Sequence, residues 1–173
     1  MKALKHFITI TKHRHKVIAH CRKAGILRQG LFHDLSKYSL SEFISGAKYY
    51  ENGKRSPNEA ERLEKGYSKA WLHHKGRNRH HFEYWTDIDL GTKEISAVKM
   101  PLRYVKEMFC DRVAASKIYK GKDYTDASPL EYFLPEKGKR LIHAETSDTL
   151  ERWLTVLARE GEKAAFALIK GEK

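Results

Sequence analysis

Apolar residues recur at three- and four-residue spacing through most of the chain, and strict alternation is nearly absent. The periodic stretches predict helices near 3–24, 27–37, 40–51, 57–75, 101–119, 129–135 and 147–169. Residues 76–100 predict a long loop with a short element around His81 to Trp85. Ser39-Leu40-Ser41-Glu42, Ser56-Pro57-Asn58-Glu59 and Ser128-Pro129-Leu130-Glu131 have capping-box spacing, the last two with proline at the first helical position. Gly25, Gly53, Gly121 and Gly171 supply stop signals. The expected fold class is all-α, one helical domain over 1–173. Its core is expected over about 3–120, with the helices of 129–169 packing on it or forming an oligomer surface. The final helix is amphipathic through Leu150, Leu154, Leu157, Phe166 and Ile169.

Polar residues interrupt these apolar stripes at particular places. Ile10, His13, Val17 and Cys21 share one face of the first helix, and Leu31, Asp34 and Tyr38 share a face of the second, with His33 beside it. Leu63, Tyr67, Ala70 and His74 line up in the fourth, with His73 adjacent, and Tyr104, Met108, Asp111, Ala115 and Ile118 in the fifth. A carboxylate on a core-facing stripe must be paired, hydrogen-bonded or metal-bound. A single such histidine is more often hydrogen-bonded, and Asp111 has Arg112 next to it as a competing ion-pair partner. Taken together, His13, His33, Asp34, His74 and Asp111 form a mixed nitrogen and oxygen set, which one metal site would satisfy at once.

Composition adds a sign to that chemistry. The 173 residues carry 34 Lys and Arg against 22 Asp and Glu, a formal net charge of +12, with 10 histidines. Such a field attracts anions, although a solvated basic surface explains the charge equally well. Hydrophobic residues at 40% support a folded core, and no run reaches the ~20 apolar residues that span a bilayer. Residues 1–12 show no signal-peptide pattern, so a cytoplasmic location without membrane contact is expected. Cys21 and Cys110 sit in apolar runs and read as small buried hydrophobes.

The run Leu31-Phe32-His33-Asp34-Leu35-Ser36-Lys37 resembles the signature of the HD superfamily of metal-dependent phosphohydrolases. His13, followed by Val17, resembles that superfamily's first-helix histidine, and Asp111 its late aspartate; the likeness spans about residues 10–120. The resemblance implies an HD-type helical bundle in which His13, His33, Asp34 and Asp111 hold a metal. His73-His74-Lys75 resembles the His-His-Glu element of two-metal members, with lysine in place of glutamate and no Gly-Tyr-Pro following. His73 and His74 are therefore the candidates for a second metal. The block His73 to Trp85, with residues 33–39, looks closer still to a family of bacterial and phage proteins of unknown function.

The resemblance also implies a mechanism. A bound metal lowers the pKa of water from about 15.7 toward ~7 and polarises a phosphoryl oxygen. Asp34 would be a ligand that orients the water, and Lys37, one turn on, would neutralise a phosphate oxygen. Glu42 could accept a proton, with capping the preferred reading. Lys75, Arg77 and Arg79 form the candidate phosphate clamp, in a loop where Gly76 and Asn78 allow tight turns. His80, His81 and Glu83 could also reach a metal, ranked below the helical ligands. Phe82, Tyr84 and Trp85 stack on a base or anchor the loop.

The expected cofactor is one or two divalent ions per chain from among Mn, Fe, Co, Ni, Zn and Mg. The expected function is a phosphohydrolase acting on a nucleotide or another small anionic phosphate ester. The alternatives are a di-iron oxygenase of HD type and a non-enzymatic basic protein that binds nucleic acid around a structural metal. HD proteins often pair, so a homodimer is an open expectation.

Overall fold

The computed structural model describes residues 1–53 and 55–173. Among these, eight α-helices carry the fold: α1 (Lys2–Lys23), α2 (Leu27–Leu31), α3 (Leu40–Lys48), α4 (Pro57–Lys65), α5 (Lys69–Lys75), α6 (Leu102–Lys120), α7 (Ser128–Phe133) and α8 (Ala144–Gly171). No described helix is long and apolar enough to cross a membrane.

The core lies where α1, α6 and α8 meet. Helix α6 buries Val105, Met108, Phe109, Cys110, Val113 and Ala114, and α1 buries Val17 and Cys21 against them. The stripe of α8 packs inward: Leu150, Trp153, Leu154, Leu157, Phe166 and Ile169 are all buried, and Phe109 meets the Trp153 and Phe166 rings edge-on. The core therefore extends well beyond residue 120, because α8 supplies Trp153, its largest fully buried side chain, and much of the rest. Helix α8 kinks at Gly161 (φ 81, ψ 175), a conformation open only to glycine, and the segment after it packs on α1 through Phe166 and Glu162. Cys21 and Cys110 are buried free thiols.

On the other side of α1, helices α2, α3 and α5 form a thinner layer. Gly30 lets α2 press against α1, since a Cβ there would lie 2.5 Å from that of Cys21. The predicted helix over 27–37 does not run through. It ends at Leu31, Asp34 takes a left-handed conformation (φ 54), and residues Leu35–Tyr38 resume as a single 3-10 turn. The predicted helix over 57–75 also divides. Gly66 (φ 78) terminates α4, and Ser68 starts α5 by accepting from the Trp71 N–H at 3.0 Å while donating to Glu61.

The three proposed capping boxes are not formed. Ser39 and Ser56 make no side-chain cap, and Ser128 lies inside α7, where its Oγ accepts from the Thr125 N–H. The loop over 76–100 holds a 3-10 turn at Phe82–Tyr84 and a small antiparallel hairpin, β1 (Thr86–Ile88) with β2 (Ile95–Ala97). Three-residue strands are too short to show alternation in the sequence. The hairpin turn is held by the Asp89 carboxylate, which accepts from the Gly91 and Thr92 N–H groups.

Candidate metal centre

Five elements deliver side chains to one buried point between the two layers. The inward stripe of α1 brings His13, and the break after α2 brings His33 and Asp34. Helix α5 brings His74, and the turn that follows brings His80 and His81. Helix α6 brings Glu107 and Asp111, one turn apart on one face. The left-handed backbone at Asp34 turns both its oxygens into the cluster, a direction an uninterrupted helix would not give.

Two groups of ligand atoms share Asp34. In the first, His13, His33, Asp34 and Asp111 present atoms all within 4.8 Å of one another; in the second, Asp34, His74, His80 and His81 do the same. His13 Nε2 is 2.9 Å from Asp111 Oδ1, and His33 Nε2 is 3.3 Å from Asp34 Oδ2 and 3.6 Å from Asp111 Oδ1. The other Asp34 oxygen, Oδ1, is 3.3 Å from His74 Nε2 and 3.5 Å from His80 Nε2. His74 Nε2 and His81 Nε2 stand 2.9 Å apart.

Apart from the His74–His81 pair, these approaches lack hydrogen-bond geometry. His13 Nε2, His33 Nε2, His80 Nε2 and Asp34 Oδ1 are buried with no hydrogen-bond partner, and Asp34 Oδ2 has only the ion pair with Lys37 close by. Orphaned buried polar atoms are rare because each costs about 1–3 kcal/mol. Metal–ligand bonds of about 2.1 Å place neighbouring ligands of one ion roughly 3–4 Å apart, which matches these separations.

The outward nitrogens are tied down. His33 Nδ1 and His80 Nδ1 both face Glu107 Oε1, at 2.8 and 3.2 Å, and His74 Nδ1 faces Glu42 Oε2 at 2.8 Å. A carboxylate that accepts from Nδ1–H leaves the lone pair on Nε2, the arrangement that orients a ligating imidazole. Glu42 thus works as a carboxylate partner of histidine rather than as a cap, and its second oxygen takes His73 Nδ1 at 2.6 Å. His73 is drawn outward by that bond and belongs to neither ligand group.

The electrostatics suit a cation. Burial pushes the Asp34 and Asp111 carboxyls up, but neighbouring groups win and hold both well below the usual carboxylate range: His33 and Lys37 at Asp34, and the close imidazoles of His13 and His33 at Asp111. Lys37 Nζ sits 2.5 Å from Asp34 Oδ2. Burial pulls His33 down, yet Asp34, Asp111 and Glu107 raise it well above the ordinary value. In the absence of a metal a proton therefore supplies the positive charge that these carboxylates attract. His13 and His81 go the other way, held down chiefly by burial and so ready as neutral ligands.

Two cavities flank the cluster. One of about 410 Å³ is bordered by Asp111 and His81, and one of about 90 Å³ by Lys37, Glu42 and His74. Lys75, Arg77 and Arg79 line neither. Helix α5 points His74 inward, so Lys75 is rotated about 100° away; Arg77 donates back to the His73 carbonyl, and Arg79 reaches outward to the Tyr104 hydroxyl and over the Tyr84 ring. The cations that border the larger cavity are Arg55, Arg112, Lys120 and Arg140 instead.

A family model matches residues 2–156, that of a family of unknown function, DUF5662. The chain belongs to this family. No curated protein and no solved structure matches the chain. The DUF5662 match runs from α1 into α8 and so takes in every residue of both ligand groups.

Proposed function

We propose that this chain is a metal-dependent phosphohydrolase of the HD type that holds two divalent ions and acts on a small phosphate ester. The observation that carries the reading is the pair of buried ligand groups joined at Asp34, with His33, His74 and His80 each backed by a carboxylate. His13, His33, Asp34 and Asp111 would hold one ion, and Asp34, His74, His80 and His81 the other. A nitrogen-rich set of this kind suits Mn, Fe, Co, Ni or Zn better than Mg.

A pair of ions so held supplies Lewis acidity and a nucleophilic water at neutral pH. The chain does the rest. Glu42 and Glu107 fix the imidazole orientations, and Lys37 shares the charge of Asp34 and adds positive potential for a phosphoryl oxygen. The larger cavity opens onto Asp111 and His81 and offers substrate-sized space beside the ligands. The second ligand group, with three imidazoles, also favours one other reading: a di-iron oxygenase, which oxygen uptake and an iron-dependent visible absorption band would reveal.

The test is elemental analysis of untagged protein, wild type beside the double variant His33→Ala, Asp34→Ala, followed by a phosphatase and nucleotide screen with the metal found. One to two equivalents lost in the variant, and hydrolysis lost with them, is the expected result. Absence of metal from the wild type even after incubation with manganese or cobalt refutes the reading.

A further inference from the structure

One arginine on the wall of the larger cavity has no close carboxylate, and a second has only a loose one. Arg112 follows Asp111 on α6, and its Nε is buried with no hydrogen-bond partner. Among the described residues no carboxylate lies within ion-pair distance of it; its neighbour there is the Phe133 ring, 5.7 Å from the guanidinium carbon. Arg140 repels it, and Asp111 and Glu83 attract it from beyond ion-pair distance. Arg140 borders the same cavity, over the Tyr132 ring, with one loose contact to Glu136 at 3.7 Å. Two guanidiniums on one cavity wall, Arg112 unpaired and Arg140 only loosely paired, form a site for an anion with several oxygens. The rest of the wall suits a nucleoside. Trp71, Phe82 and Tyr132 are aromatic, and Glu83 Oε2 is buried with no partner, free to accept from hydroxyl or amino groups. The volume, about 410 Å³, falls in the range of small-ligand sites.

We propose that Arg112 and Arg140 form a second phosphate subsite and that the substrate is a nucleoside diphosphate, its terminal phosphate at the ligand cluster and its inner phosphate on the arginines. The inference rests on the phosphohydrolase reading for the reaction, but not for binding. In the reaction, water adds to the terminal phosphorus and the bond to the bridging oxygen breaks. The products are nucleoside monophosphate, orthophosphate and a proton.

The experiment is calorimetric titration of manganese-loaded wild type, Arg140→Gln and Arg112→Gln with two probes that resist hydrolysis. One is adenosine 5′-(α,β-methylene)diphosphate and the other is phenylphosphonate, which has a single anionic group. The diphosphate analogue should weaken by about tenfold or more in each variant, the loss of one charge-assisted contact. Phenylphosphonate should stay within about twofold, or too weak to detect, in all three proteins. Arg140 is partly exposed, so Arg140→Gln tests the subsite even where Arg112→Gln disturbs packing, and Arg140→Lys should recover part of the loss. The subsite is overturned where the analogue fails to bind wild type, binds all variants equally, or weakens in step with phenylphosphonate. Failure of the phosphohydrolase reading looks different: the analogue binds with the expected pattern, while ADP is not turned over with any metal.

Discussion

Glu107→Gln separates a carboxylate that orients metal ligands from one that merely fills the core. Its Oε1 faces His33 Nδ1 at 2.8 Å and His80 Nδ1 at 3.2 Å, so one oxygen serves a histidine from each ligand group. The glutamine keeps the shape but loses the charge, and its oxygen still accepts. Converting two charge-assisted hydrogen bonds to neutral ones costs about 1 kcal/mol each, and so about 2 kcal/mol in the oriented, ligand-ready state. That corresponds to roughly a 30-fold loss of metal affinity, within the range for removing such partners of ligating histidines. The assay is competition for manganese against a chelator of known affinity, with thermal unfolding of the metal-free protein as control. Stoichiometry at saturation should be unchanged. An affinity within twofold of wild type, with the melting temperature unaltered, would refute the argument that Glu107 sets the His33 and His80 orientations.

Two further outcomes concern stability. His20 is buried beside the Cys110 carbonyl and held down to about 4, chiefly by burial, against an unfolded value of 6.5. The unfolded chain binds the proton first, so this contribution is complete above pH 6.5 and lost as pH falls toward 4, about 3 kcal/mol in all. Chemical denaturation of wild type and His20→Gln across that window should show a correspondingly flatter pH profile in the variant. In Gly46→Ala the new Cβ would fall 2.3 Å from His6 Nε2, so the His6 ring must shift within its packing against Phe43 and Tyr50. The expected loss is about 1–3 kcal/mol by denaturant titration, and an unchanged midpoint would show that the ring has room to move.

The sequence makes part of this centre readable and hides the rest for definable reasons. His13 and Asp111 stand out because they interrupt apolar stripes on long helices, where side-chain direction follows from spacing alone. Glu107 shares the face of Asp111 one turn earlier, yet a glutamate on a basic helix reads as solvated until Gln29, His33 and His80 are seen to close on it. Its distance of four residues from an inward aspartate is the signal that could have exposed it. His80 and His81 follow a turn, where no periodicity says which way they point. The Ser39–Glu42 spacing reads as a cap, but the carboxylate finds two imidazoles on α5, and tertiary bonds outweigh the local option. The continuous helix expected over 27–37 contains no glycine or proline after Gly30 to mark the break. The break comes from the left-handed turn at Asp34.

That turn divides two kinds of selection. An aspartate at φ 54 carries backbone strain of about 1–3 kcal/mol that glycine would relieve, although its carboxylate also pairs with Lys37. A library of substitutions at Asp34 scored by expression or heat resistance should rank Gly and Asn first among the replacements, because both accept a left-handed backbone. The same library scored by metal retention should keep aspartate alone. A stability screen would therefore tolerate at this position what metal retention forbids, and disagreement between the two rankings is a way to find sites of this kind in helical proteins.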